Sequence, residues 1–197
     1  MRYPVGIIAA AVWLYLLSVL KRCKLQAWHF LLGCTGLFVF MMIFVRPAMT
    51  QPLAQCVAAI SGLFGKLTGM FTAYFKYGII FIRNAAMAIT LQIDFECSGI
   101  VEIMVFLSLL CFFDVYSRSE KVFVGILGTL GIIMANVVRI IVICVMIYLG
   151  GTKVYFIAHA IVGRLLFYVL SVLLYFYVFT KPQVVRIRVG KFTYGHH

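Results

Sequence analysis

The stretch Val122–Leu149, VFVGILGTLGIIMANVVRIIVICVMIYL, is predominantly apolar, and Arg139 is its only charged residue. It exceeds the roughly 20 apolar residues that a membrane-spanning helix needs. Similar apolar runs lie elsewhere along the chain, at Pro4–Leu20, Trp28–Val45, Ser98–Phe113 and Val154–Phe179. The sequence therefore predicts an all-α fold, a polytopic transmembrane helical bundle of about 5–7 spans.

The composition agrees with a membrane protein. Hydrophobic residues make up 65% of the chain and charged residues 11%, against about 45–50% and 25% in soluble domains. Apolar runs of this length exclude an outer-membrane barrel, whose strands alternate in hydrophobicity over about ten residues. The net charge of +12 is attributed to loops that face anionic lipid head groups, so no nucleic-acid partner is predicted. The first span lacks a basic leader and a cleavage site, which predicts a retained helix.

We interpret residues 1–197 as a single integral membrane domain. Residues 1–47 hold two spans, residues 97–180 form a three-span catalytic part, and residues 181–197 are a basic cytoplasmic tail. Residues 48–96 are apolar but interrupted by glycine and basic residues. This segment is compatible with interfacial amphipathic helices, a re-entrant hairpin or two further spans.

Short basic loops predict the orientation, since lysine and arginine concentrate on the cytoplasmic side. The loop after the first span, the loop after Phe113 and the tail are basic, whereas the loop at Gly150–Lys153 has one lysine. Residues 46–96 then begin and end outside the cell, whether or not they contain two more spans. Cys97 is therefore expected on the extracytoplasmic side of the cell membrane.

Ionisable residues inside spans are costly and usually face a bundle interior or a wet cavity. Counted from the cytoplasmic end of its own span, Cys97 lies roughly 26 Å along the helix, Arg139 about 27 Å and His159 about 33 Å. The hydrocarbon core is about 30 Å thick. Three spans thus bring a thiol, a guanidinium and an imidazole to a similar depth near the outer boundary.

These three groups suit acyl transfer. A thiolate attacks a carbonyl carbon, an arginine neutralises the developing oxyanion, and a histidine protonates the leaving amine. Glu96 and Asp94 beside the thiol disfavour the thiolate, so the acids are expected to hold Arg139 or substrate, or to complement the helix dipole. The other cysteines inside apolar runs, Cys34, Cys111 and Cys144, are interpreted as small buried hydrophobes.

Three short segments carry a family resemblance. The order of "ECSGI" (Glu96–Ile100), "NVVRI" (Asn136–Ile140) and "HAIVG" (His159–Gly163) resembles the exosortase/archaeosortase family of membrane-embedded cysteine transpeptidases. The resemblance covers roughly residues 90–180. The short length and basic tail are similar to a compact type found in Gram-positive bacteria.

The resemblance implies that Cys97 is the nucleophile, Arg139 the oxyanion-stabilising residue and His159 the proton-transfer residue. Asn136 and Gly163 match motif positions and would support the site, as would Glu96. The implied partner is an exported protein with a C-terminal motif, a transmembrane helix and a basic end. After cleavage near the outer membrane face, the product would pass to a lipid or envelope acceptor, or to water.

Two other functions stay open. Glu102, Arg139, His159 and Arg164 would line the polar path of a small transporter or channel component, and a non-enzymatic membrane scaffold would need none of them. A thiol redox enzyme is disfavoured because no second cysteine lies near Cys97 in sequence. Neither a metal nor an organic cofactor is predicted, since no cysteine or histidine has metal-ligand spacing.

Overall fold

The computed structural model describes residues 2–84, 87–93 and 97–182. Within these ranges six α-helices and one small sheet follow in the order α1, α2, α3, β1, β2, β3, α4, α5 and α6. The helices are α1 (Arg2–Arg22), α2 (Gln26–Phe44), α3 (Arg46–Thr68), α4 (Ile100–Phe112), α5 (Arg118–Gly150) and α6 (Gly163–Tyr175). The strands are β1 (Phe71–Tyr74), β2 (Ile79–Asn84) and β3 (Met87–Gln92).

Three helical stretches are long and apolar enough to cross a membrane: Gln26–Phe44, Arg118–Gly150 and Thr152–Thr180. The apolar helix α4 is shorter. The last stretch comprises a 3-10 turn, a π-helical segment at Ile157–Val162, α6 and a second π-helical segment at Phe176–Thr180. The apolar runs of the sequence therefore coincide with α1, α2, α4, α5 and this last stretch.

The helix α5 is the axis of the fold. A capping box fixes its start, in which Ser117 accepts a hydrogen bond from the Glu120 amide and the Glu120 carboxylate accepts one from the Ser117 amide. Its 33 residues make it about 50 Å long, so it exceeds the roughly 30 Å hydrocarbon core. The additional length lets its C-terminal part pack against α3 and the sheet.

Within the segment 48–96, the described residues fold differently from the sequence expectation. The sequence was compatible with interfacial helices, a re-entrant hairpin or two further spans, and none of these arrangements contains a sheet. In the structure, α3 is followed by three antiparallel strands in the order β1-β2-β3. The register pairs Phe71 with Ile82 and Ile79 with Gln92. We call α3 and the sheet together the cap.

Glycines on α3 explain how the cap closes. A Cβ on Gly62 would lie 2.7 Å from the Ala73 Cβ, and one on Gly65 would collide with the carbonyl oxygen and ring of Phe71. Bare backbone on this face of α3 therefore allows the helix to lie directly on β1. Gly62 and Gly65, two of the glycines that interrupt the apolar pattern, are therefore helix–strand contact points.

Two hydrophobic cores meet near Cys97. The first joins α3, the sheet and the C-terminal part of α5, and it includes Val57, Ile80, Ile140 and Cys97. The second joins α4, the middle of α5 and α6 around Phe106 and Phe167. Cys97 thus lies where the cap core adjoins the helical bundle.

The loops at the other end of the bundle lie together. A cavity of about 750 Å³ is lined by Lys21 at the end of α1, by Lys24 from the loop that follows it and by Asp114 from the loop after α4. The Tyr116 hydroxyl donates a hydrogen bond to the Val178 carbonyl at 2.6 Å, which ties the end of the last helical stretch to the same place. The predicted cytoplasmic loops therefore share one end, and Cys97 and the cap lie at the opposite end.

Candidate active site

Cys97 lies in a turn that immediately precedes α4. Gly99 adopts a left-handed conformation with φ of +78°, which favours glycine. The Asn136 amide on α5 donates a hydrogen bond to the Cys97 carbonyl at 2.6 Å, and both residues are buried. The sharp turn and the amide contact fix the position of the thiol relative to α5.

The Arg139 guanidinium and the His159 imidazole both reach the Cys97 sulfur. The Arg139 Nη2 donates to Sγ at 3.6 Å, and the His159 Nε2 is 3.8 Å from Sγ. Asn136 and Arg139 are one helical turn apart on α5 and therefore share a face. Three separate elements thus converge on one sulfur atom.

Two aromatic rings support these side chains. Phe167 of α6 lies under the Arg139 guanidinium, with the Cζ atom 5.6 Å from the ring centroid. Tyr155 stacks on His159 with centroids 5.9 Å apart and an interplanar angle of 9°. Neither ring was predicted from the sequence, although Tyr155 stands four residues before His159, which is the spacing of neighbours on one helix face.

The conformation around His159 is unusual. The segment Ile157–Val162 is π-helical, and the Gly163 amide donates to the Ala158 carbonyl five residues earlier. Single π-helical turns within α-helices occur frequently at functional sites. The wider turn changes the direction in which His159 projects from the last helical stretch.

A family comparison covers the same part of the chain. The model of the transmembrane exosortases matches residues 3–176, which include the cap and every element of the site. The chain belongs to the transmembrane exosortase family. No similar curated protein and no similar solved structure was found.

Family membership establishes a helical membrane protein, so the predicted fold class is confirmed. It also places this exosortase among sorting transpeptidases of the membrane in general. The compact Gram-positive subtype stays a prediction. The roles of individual side chains are not part of the match and are treated below as proposals.

Other residues selected from the sequence occupy different places in this exosortase. Glu96 and Asp94 lie outside the described residues. Glu102, Arg139 and Arg164 line a cavity of about 280 Å³ between α4, α5 and α6, together with Phe167 and Tyr168. The residues lining this cavity do not include His159.

The remaining cysteines do not contribute to the site. The five cysteines other than Cys97 are free thiols, and Cys34 and Cys144 are buried as expected, whereas Cys111 is exposed. The expectation of burial was therefore wrong for Cys111, which lies near the end of α4. In the described ranges, no three histidine, cysteine or acidic side chains are grouped as metal ligands.

Gly163 holds the histidine segment close to α5. A Cβ at this position would lie 2.6 Å from the Ile143 Cδ1 and 3.0 Å from the Ala158 carbonyl oxygen. We expect Gly163→Ala to destabilise the protein by about 1–3 kcal/mol through overpacking and to displace His159. The thermal unfolding midpoint in detergent measures the first effect.

Ile143→Val provides the matched control because it removes the methyl group that the new Cβ would meet. The double variant Gly163→Ala/Ile143→Val should recover part of the stability that Gly163→Ala loses. If the stability losses of Gly163→Ala and Ile143→Val simply add in the double variant, the packing explanation is wrong.

Proposed function

We propose that this exosortase-family protein is a membrane cysteine protease and transpeptidase that removes the C-terminal sorting signal of exported proteins. The observation that supports this is the convergence of Cys97, Arg139 and His159 from three elements. A cation beside a cysteine favours the nucleophilic thiolate. An imidazole within reach of the same sulfur supplies the proton-transfer group.

The reaction proceeds through an acyl-thioester. The Cys97 thiolate attacks the scissile carbonyl carbon, and the Arg139 guanidinium stabilises the resulting oxyanion. As the C–N bond breaks, His159 gives a proton to the leaving amine. An acceptor nucleophile or water then attacks the thioester, gives its proton to His159 and restores the Cys97 thiolate.

The proposed substrate follows from where the site lies. Cys97 is at the end of the bundle opposite the basic loops, which are expected in the cytoplasm. A substrate helix beside the bundle would place its basic end near those loops and its outer end near Cys97. Cleavage then takes place near the outer membrane face, and the acceptor is a lipid or envelope component, or water.

The cavity between α4, α5 and α6 favours a second candidate, a transporter or channel component. Glu102, Arg139 and Arg164 line it, and the Glu102 Oε2 is buried with no hydrogen-bond partner in the described part of the chain. A polar path predicts that Glu102→Gln abolishes ion flux into liposomes and that Cys97→Ala leaves the flux unchanged. If the protein is a transpeptidase and not a channel component, we expect no ion flux with either variant.

Co-expression with a substrate tests the main proposal. The probe is an epitope-tagged exported protein of the same genome that ends in a transmembrane helix and basic residues. We expect His159→Gln to slow its cleavage by about 10²-fold, because the leaving amine loses its proton donor. Tyr155→Phe serves as the control, since it keeps the stacked ring and should stay close to the wild-type rate. Unchanged cleavage in His159→Gln would contradict the proton-transfer role.

A further inference from the structure

The two edges of the sheet differ in how they are covered. Along β1, the glycine face of α3 lies against the backbone of Phe71 and Ala73. Along β3, β2 is the only hydrogen-bonded neighbour within the described residues, and no helix there packs on β3 as extensively as α3 packs on β1. An uncovered edge strand is a template for pairing with another extended chain.

The hydrogen-bonding groups of this edge can be assigned from the register. The Ile93 amide donates to the Gly78 carbonyl at 2.9 Å, which continues the pairing of Ile79 with Gln92. In an antiparallel pair, alternate residues direct both backbone groups towards the partner strand. The residues that alternate with Ile93 therefore direct their N–H and C=O groups to the free edge, and these are Ala88, Thr90 and Gln92.

The side chains of the same three residues are exposed, whereas Leu91 and Ile93 are buried in the cap core. A strand added at this edge would therefore extend the sheet without displacing any packed side chain. It would gain backbone hydrogen bonds over the length of β3. This is the mode in which an extended peptide adds to a sheet, with backbone contacts for affinity and alternate side chains for specificity.

The strand that forms the free edge ends a few residues before the proposed nucleophile. Three residues separate Ile93 from Cys97, so their Cα atoms are at most about 14 Å apart. At the same end of β3, Gln92 and Ile93 line a cavity of about 430 Å³ with Tyr77 and with Arg46 at the start of α3. An extended chain on β3 would thus run towards both this cavity and the thiol.

We infer that β3 is the docking strand for the substrate segment that precedes its transmembrane helix. This inference rests on the proposed function and adds the binding mode. Residues 46–96 contain four basic residues and two acidic residues, Asp94 and Glu96, and so have a net positive charge, which favours a neutral or acidic complementary segment. Docking holds the segment extended and delivers the scissile bond to Cys97.

Thr90→Pro tests the inference in the full-length protein. Proline removes the outward N–H of Thr90, and it is tolerated on edge strands where that group faces away from the sheet. Losing this donor should raise the KM for the tagged substrate about 10-fold, equivalent to about 1.4 kcal/mol, and leave kcat nearly unchanged. Thr90→Ala keeps the N–H and is the matched control. The iodoacetamide labelling rate of Cys97 should be equal in both variants, which shows that the site is intact.

A proline scan of the substrate gives a second measurement that does not depend on folding of the variant. Single prolines placed along the six residues before the cleavage site should impair cleavage with a period of two, because only alternate residues direct their N–H towards β3. A uniform effect, or a wild-type KM in Thr90→Pro, would overturn strand addition. Conversion of a dimer to a monomer by Thr90→Pro at unchanged KM would also overturn it, since the edge would then join two copies of the chain. These outcomes leave the proposed function intact, whereas continued cleavage by Cys97→Ala would defeat the function itself.

Discussion

Cys97→Ala should abolish substrate cleavage, with a loss of more than about 10³-fold in rate. Removal of the nucleophile removes the acyl-thioester, and no other group can replace it. The Cys97 side chain is only 5% exposed, and the substitution to alanine removes a single sulfur atom, so little structural change is expected. The amount of uncleaved, tagged substrate in the membrane measures the effect.

Two other cysteines supply controls for this experiment. Cys111→Ala removes an exposed thiol and Cys144→Ala a buried one, and both should cleave the substrate at close to the wild-type rate. The wild-type protein should accumulate an adduct with the substrate that hydroxylamine releases, as expected of a thioester. Normal cleavage by Cys97→Ala, or an adduct that persists in it, would refute the thioester mechanism.

The membrane helices were predictable because a single property determines them. Long apolar runs such as Val122–Leu149 cannot be accommodated in a soluble domain of this size, and their lengths fix where helices begin and end within a few residues. The sheet was not predictable in the same way. Short apolar runs such as Ile79–Ile82 fit a strand or a buried helical segment equally well by periodicity. Their conformation depends on how α3 packs through Gly62 and Gly65.

The depth of the candidate site residues in the membrane was predictable from the sequence, but the direction of their side chains was not. Helix rise places Arg139 and His159 at the level of Cys97, and the cost of burying ionisable groups identifies them as unusual. Rotation of each helix about its axis is not encoded in that spacing. In the structure it results from tertiary contacts, among them the Asn136 hydrogen bond to the Cys97 carbonyl and the Gly163 contact with Ile143.

Arg139→Lys should reduce the rate of thioester formation by about 10²–10³-fold, the range observed when one oxyanion-stabilising donor is removed. Arg139 is buried, donates to the Cys97 sulfur through Nη2 and lies over Phe167. Lysine keeps the positive charge but lacks the planar group that stacks on the ring and offers several donors in fixed directions. Burst-phase cleavage of the tagged substrate measures the effect.

Alkylation of Cys97 by a small reagent separates two possible roles of Arg139. Alkylation requires the thiolate and forms no oxyanion, so Arg139→Lys, which retains a cation near the sulfur, should be alkylated within a few-fold of the wild-type rate. Cleavage also forms a tetrahedral oxyanion and should therefore fall much further. Arg164 also lines the cavity between α4, α5 and α6 that Arg139 lines. Arg164→Lys should change neither the alkylation rate nor the cleavage rate by more than a few-fold. If alkylation and cleavage fall by the same factor in Arg139→Lys, the guanidinium acts only on the thiol and the oxyanion role is wrong.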